Sequence, residues 1–340
     1  MHLRKTYTLA AILMFSGLAS AQNLPKFSGL FFGDYYYVLA HDPSNPLGSF
    51  TATPLQTSMQ QFEYRRIYLT ADYDIAQDFA ARFRLESDPT ASALGNGKLT
   101  TMVKDAFINW KNITDGGNVM IGLQGTPEIN MAEGIFGYRS LEKTIQDLHG
   151  ISSSRDLGVS YNQKFSDEFM AGLLVGNNSG NSVPGNKYKA AYLYVQYNPM
   201  KEFTILLNGQ YNGAGVDLFN RTADIIINYA NSMFSLGGQY FMNGINQAGG
   251  TTLKRNGFSI NGWVAFMDEL RLVARFDNYT PNADIKNTTF ATSTQSFILA
   301  GLDWSVRKNV HLMPNFYYTA YGLSGSKADA ILRATFFITF

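Results

Sequence analysis

The chain has 340 residues, of which 16% are charged and 14% aromatic, with Lys+Arg 27 against Asp+Glu 26. That balance argues against nucleic acid as a partner, and Cys 0 excludes disulfide scaffolds, zinc–cysteine centres and thiol catalysis. A charged fraction below the roughly 25% usual in soluble domains, a mean hydropathy of −0.12 and no internal apolar run of the roughly 20 residues a membrane helix needs leave one membrane class open: the β-barrel, whose alternating strands average out.

In chain order, residues 1–21 read as a secretory signal. His2, Arg4 and Lys5 form the positive n-region, Leu9 to Phe15 the apolar h-region, and Ala19-Ser20-Ala21 an A-x-A cleavage site. An uncleaved anchor helix is the alternative, for which this h-region is short. Cleavage would leave Gln22 first, one domain over 22–340, and 25 basic against 26 acidic residues. With no Cys after the site, a lipoprotein anchor is excluded.

Segments with period-two hydrophobicity follow, separated by alternately short and long polar connections. Strands are predicted over 27–41, 62–73, 79–87, 102–111, 119–126, 156–164, 169–177, 188–197, 203–212, 221–230, 233–243, 257–266, 269–279, 295–305, 309–321 and 329–340. In Phe79 to Glu86, Phe79, Ala81, Phe83 and Leu85 take one face, and Arg82, Arg84 and Glu86 the other. An even count puts both termini on one side, and seven short turns against eight long loops fit a bacterial outer-membrane barrel with periplasmic termini. The last strand alternates Ala330, Leu332, Ala334, Phe336 and Ile338 up to Phe340, which resembles the signal read by the outer-membrane assembly machinery. Aromatic residues such as Tyr73, Phe79, Trp110, Tyr161, Phe169, Tyr229, Phe234 and Phe266 sit beside short turns, where rings straddle the lipid interface.

Barrels of about sixteen strands enclose an aqueous channel unless something plugs it. The longest connection, 127–155, is the candidate constriction, with Arg139, Glu142 and Lys143 on it; an extracellular cap over the mouth is the alternative. Helical spacing is read over Ser140 to Leu148, with Ser140 as cap and Leu141, Ile145 and Leu148 turned to the inner wall. Inward positions carry Arg66, Arg82, Arg84, Arg271, Arg275 and Arg333, opposed by Asp72, Glu86, Asp105, Asp224, Asp277 and Asp303. Strict alternation turns Arg65 outward. The arginines could select anions, set up a transverse field against an acidic loop, or simply brace the wall through ion pairs.

Three stretches resemble the phosphate-selective porin O and P family: Tyr64-Arg65-Arg66-Ile67-Tyr68-Leu69, Lys104-Asp105-Ala106-Phe107-Ile108-Asn109-Trp110 and Val119-Met120-Ile121-Gly122-Leu123-Gln124. The match covers roughly 62–126. It implies a sixteen-stranded homotrimeric porin whose third long loop enters the lumen, with Arg66 matching the second Arg of a doubled pair and Lys104-Asp105 a basic–Asp pair. The family continues with an aromatic-Lys-x-Pro pattern, where this chain has Gly125-Thr126-Pro127 and no Lys-rich cluster. Phosphate selectivity is therefore not carried over.

After cleavage three His remain (His41, His149, His311), and no G-x-S-x-G, H-E-x-x-H, Walker or G-x-G-x-x-G motif is present. The expectation is a non-enzymatic channel, without cofactor or metal, set in outer-membrane lipid and passing small hydrophilic solutes or anions. The rival is a non-conducting barrel that binds a partner through its extracellular loops, such as 42–61 and 280–294.

Overall fold

The computed structural model describes residues 24–45, 55–89 and 100–340. The expected export signal over 1–21 and parts of the loops 42–61 and 88–101 lie outside the described residues. Sixteen strands run in order: β1 (Lys26–Ala40), β2 (Gln60–Asp74), β3 (Phe79–Ser87), β4 (Thr101–Thr114), β5 (Gly117–Gly125), β6 (Arg155–Lys164), β7 (Phe169–Gly176) and β8 (Ala190–Met200). Then follow β9 (Phe203–Gly215), β10 (Leu218–Ala230), β11 (Phe234–Asn246), β12 (Thr252–Met267), β13 (Leu270–Thr280), β14 (Gln295–Arg307), β15 (Val310–Tyr321) and β16 (Asp329–Thr339). Each pairs antiparallel with its sequence neighbours, and β1 pairs with β16 to close the barrel. Closure leaves no open edge, as a sheet must when no water is present to satisfy its backbone.

The barrel is inside-out relative to a soluble protein. Ile121, Leu193 and Ile260 are more than half exposed on the outer face, while Asp105, Asp277 and Arg333 are buried within. Rings pair next to the short turns, as in Phe79–Trp110 and Tyr229–Phe234, both 5.4 Å between centroids. At the seam Phe340 exchanges backbone hydrogen bonds with Gly29 at 2.8 and 3.0 Å. Its ring fills the space over Gly29, where a Cβ would stand 2.3 Å from it.

Two differences from the sequence reading concern the long side. Strands β9 and β10 continue to a two-residue turn, Val216-Asp217, with Asp217 at φ 56, instead of an eight-residue loop. Strands β11 and β12 likewise run on to Asn246 and from Thr252. Beyond the lipid a ladder needs no apolar alternation, so the period-two signal stops before the strand does.

A third difference sits on the wall. Opposite Phe32 and Gly33, β2 carries an extra residue, Arg65, and opposite Arg84 and Leu85, β4 carries an extra Lys104. A bulge turns two successive side chains to one face. Arg65, expected outward, therefore points inward beside Arg66, and Lys104 joins Asp105 in the lumen.

Candidate functional site: a constricted lumen

Between β5 and β6 the chain enters the barrel. Thr126 stands at the N-cap position with its hydroxyl donating to Ser153 O instead of to the helix, and Pro127 opens helix α1 (Pro127–Phe136), which ends where Gly137, at φ 74, donates its N–H to Glu133 O. Proline's fixed φ and missing donor suit a first helical turn, and glycine accepts the left-handed exit at little cost. Helix α1 rests on β8, β9 and β10, with Ala132 packed among Tyr194, Leu206 and Ile226. Helical spacing misled over 140–148: only α2 (Ile145–Leu148) is helical, and Ser140 caps nothing. The carbonyls of Ser140, Leu141 and Lys143 accept hydrogen bonds from wall arginines, so a single turn followed by irregular backbone replaces a helix.

Those arginines form a clamp. Arg65 donates from Nη1 to Leu141 O at 2.9 Å and also reaches Ser140 O. Arg333 Nη2 donates to Leu141 O at 2.6 Å, and Arg275 Nη1 to Lys143 O at 2.5 Å. Asp34 pairs with Arg65 at 2.8 Å and Arg333 at 3.4 Å, while Asp277 holds Arg275. Leu141 itself is fully buried with Tyr36, Val273, Leu299 and Ile331. Leu141→Ala should therefore cost about 2–5 kcal/mol, read as a lower thermal midpoint; an unchanged midpoint would show that the pocket collapses around the gap.

Glu142 accepts from the Tyr317 hydroxyl at 2.6 Å. Burial pushes this carboxyl up, but Arg65 and Arg333 pull harder and hold it at about 2, against an ordinary 4.5. A depressed carboxyl stabilises fully above its unfolded value and loses that contribution only as pH falls through the folded one. Burial first, then Arg275 and Arg255, drive His149 down to about 3, leaving a neutral ring stacked on Tyr279 at 3.8 Å. The clamp at Glu142 should thus keep its charges between pH 7 and pH 5; a step in single-channel conductance in that window would assign pH control of the loop to the acids under its first helix, Glu128 and Asp224, and not to the clamp.

The predicted arginines divide. Arg275 and Arg333 meet at the loop, joined by Arg65. Arg66 pairs with Glu86 at 2.9 Å and Arg84 with Asp105 at 3.2 Å, on the wall opposite α1. Arg82 pairs with Asp72 at 2.7 Å, apart from the loop, while Arg271 stacks over Trp263 at 4.1 Å and lies against the Tyr138 hydroxyl of the loop. On the loop, Arg139 bridges Glu133 at 2.6 Å and Asp147 at 3.7 Å. Sequence reasoning missed Lys104 and Arg155 as lumen residues: Lys104 sits on the bulge, and Arg155 opens β6 before alternation begins. Lys104 contacts Glu86 at 2.8 Å, and Arg155 contacts Asp105 at 2.5 Å.

With α1 on β8–β10 and the clamp at β1, β2, β13 and β16, space remains beside β2, β4 and β6. A cavity of about 140 Å³ lies there, lined by Arg66, Tyr68, Lys104, Ser154 and Arg155 from one side and Glu133, Lys143 and Asp147 from the loop, with Asp88 as a further neighbour. Ser305, His311 and Asp303 also meet, but Ser305 Oγ at 3.2 Å and Asp303 Oδ1 at 2.7 Å share the one ring nitrogen, Nδ1. That geometry cannot relay a proton through the ring to activate the serine.

A family model of Gram-negative porins matches residues 8–326. No curated protein matches the chain. Among solved structures, the anion-selective porin from Comamonas acidovorans is 14% identical, covers 93% of this chain and 99% of its own, and superposes with TM-score 0.66. The trimer form of OmpT, an outer membrane protein of Vibrio cholerae, is 14% identical over 94% of this chain and 100% of that one, also at 0.66. The outer membrane channel DcaP of Acinetobacter baumannii is 11% identical over 93% and 97%, at 0.65. At these identities the likeness establishes the fold.

Proposed function

Given that the chain belongs to the Gram-negative porin family, whose members are outer-membrane channels for small solutes, we propose that this one conducts with a weak preference for anions. It does no covalent chemistry and needs no cofactor for transport. The observation that carries the preference is the sharing of acids on the wall. Glu86 serves both Arg66 and Lys104, and Asp105 serves both Arg84 and Arg155. Two carboxylates for four cations leave positive charge facing the passage. On the loop, Arg139 serves two acids, and Lys143 restores neutrality. With Asp88 included, six cations meet five acids around the passage, and the wall is positive relative to the loop. Such a field orients polar solutes and favours anions modestly.

In this reading Arg66 and Arg84, with Lys104, Arg155 and Lys143, act on permeating ions. Arg275 and Arg333 act through the loop they hold, Arg271 stands against the loop's Tyr138, and Arg82 lines the lumen away from it. The residues that resemble phosphate-selective porins, Arg66 and Lys104-Asp105, border the passage, yet the missing lysine cluster argues for small anions in general. Residues 1–21 export the chain, the strand ending in Phe340 guides its assembly, and the OmpT trimer supports a homotrimer. The test is the reversal potential in a planar bilayer under a KCl gradient. Chloride should be favoured by a small factor. Cation preference would overturn the charge argument, and absence of conductance would favour the partner-binding barrel.

A further inference from the structure

Helix α1 buries a second polar group on the side away from the passage. Glu128 is 2% exposed and Asp224, on β10, 6%. Neither Glu128 oxygen has a hydrogen-bond partner of normal geometry, with Ser152 its neighbouring hydroxyl. Asp224 accepts from Gln239 at 3.1 Å through Oδ2, while Oδ1 is unbonded. Asn208 stands directly across from Asp224 in the β9–β10 ladder. Gln146, on α2, is fully buried, and it and Asn208 both face Asp224. Each amide turns its NH2 toward the Asp224 carboxylate without a hydrogen bond of normal geometry, and a half-turn of the amide puts its oxygen at the same spot.

No basic residue among those described faces either acid. Two carboxylates so enclosed cannot both stay charged without a cation. Five oxygens at this spot lack a partner: both of Glu128, one of Asp224, and the amide oxygens of Gln146 and Asn208. An all-oxygen donor set with two acids suits a large hard cation, which accepts irregular geometry and six to eight ligands, one or two of them water.

We propose that Glu128 and Asp224, with the amide oxygens of Gln146 and Asn208, form a binding site for a divalent cation of the calcium type that staples the constriction loop to the barrel wall. The ligands come from α1, α2, β9 and β10, so one ion joins both loop helices to two strands. Arg65, Arg275 and Arg333 grip the opposite flank of the same loop. Among the described residues no three His, Cys, Asp or Glu gather as a metal centre; here two amides complete the set.

The test uses full-length protein refolded without lipopolysaccharide into detergent micelles and stripped with EDTA. Calcium is titrated while the thermal midpoint is followed, and terbium luminescence sensitised by the barrel tyrosines reports direct binding. Saturating calcium should raise the midpoint by roughly 5 °C and displace terbium. Glu128→Gln and Asp224→Asn should each lose the shift, while Asp167→Asn, on an exposed turn, should keep it. If either acid variant fails to fold, Asn208→Ala and Gln146→Ala should weaken calcium binding at least several-fold. Absence of both the calcium shift and the terbium signal in the wild type would overturn the proposal. A midpoint that falls as pH rises, indifferent to calcium, would likewise overturn it and assign the neutralisation to protons. Neither readout depends on ion selectivity, so the channel reading stands or falls separately.

Discussion

Replacing Lys143 by Glu should turn weak anion preference into cation preference. Lys143 lines the passage from the loop side and makes no ion pair among the described residues, whereas Arg139 beside it is shared by Glu133 and Asp147. The surround carries one net positive charge, and this substitution moves it by two, through zero. A unit charge about 5 Å from a permeating ion is worth roughly 0.8 kcal/mol in water, so the exchange shifts an anion by about 1.6 kcal/mol before screening. Salt at about 0.1 M, with a Debye length near 10 Å, removes part of this. Potassium is favoured by as much as chloride is disfavoured, so the chloride-to-potassium permeability ratio should fall by at least about ten-fold, past unity. Because Lys143 is half-buried and its backbone carbonyl, not its side chain, holds Arg275, the loop should stay in place. An unchanged ratio would mean that ions pass elsewhere.

Asp34→Ala should release the loop. Asp34 lies between Arg65 and Arg333 and also accepts from Thr335. Without it two buried guanidiniums face each other, with Glu142 as their remaining acid neighbour. Removing one partner from a buried ion pair costs about 3–5 kcal/mol, most of which can be relieved if the segment around Leu141 leaves the lumen and admits water. The strand ladder does not pass through Asp34's side chain, so the barrel should still close. The expected result is a single-channel conductance about twice that of the wild type, with flicker. Wild-type conductance in a folded Asp34→Ala barrel would show that the apolar seat of Leu141 holds the loop alone. Arg65→Ala with Arg333→Ala tests the same clamp from the other side and should give the same change.

Strand number, closure and the lumenal loop were legible because lipid and water impose a period of two on every spanning segment. The long connection at 127–155 stands out by length alone. Within it, Thr126-Pro127 and Gly137 were readable helix signals, overlooked beside the apolar spacing of Leu141, Ile145 and Leu148. That spacing has another origin: Leu141 packs among β1 and β13–β16, whereas Ile145 packs with Ile151, Phe241 and Tyr279. Two walls, not one helix face, select those residues.

By itself the sequence determined the barrel: which faces meet lipid, how many strands close, and which arginines and acids could point inward. Only the tertiary structure decided which of them act together. A single inserted residue at Arg65 and at Lys104 reverses side-chain direction without altering hydropathy, so parity along one strand cannot foresee it. Charge partners such as Asp34 and Arg333, or Asp105 and Arg155, are hundreds or scores of residues apart in the chain. Their distance is set by closure of β1 on β16 and by where the loop lands, and ion pairing depends on that distance.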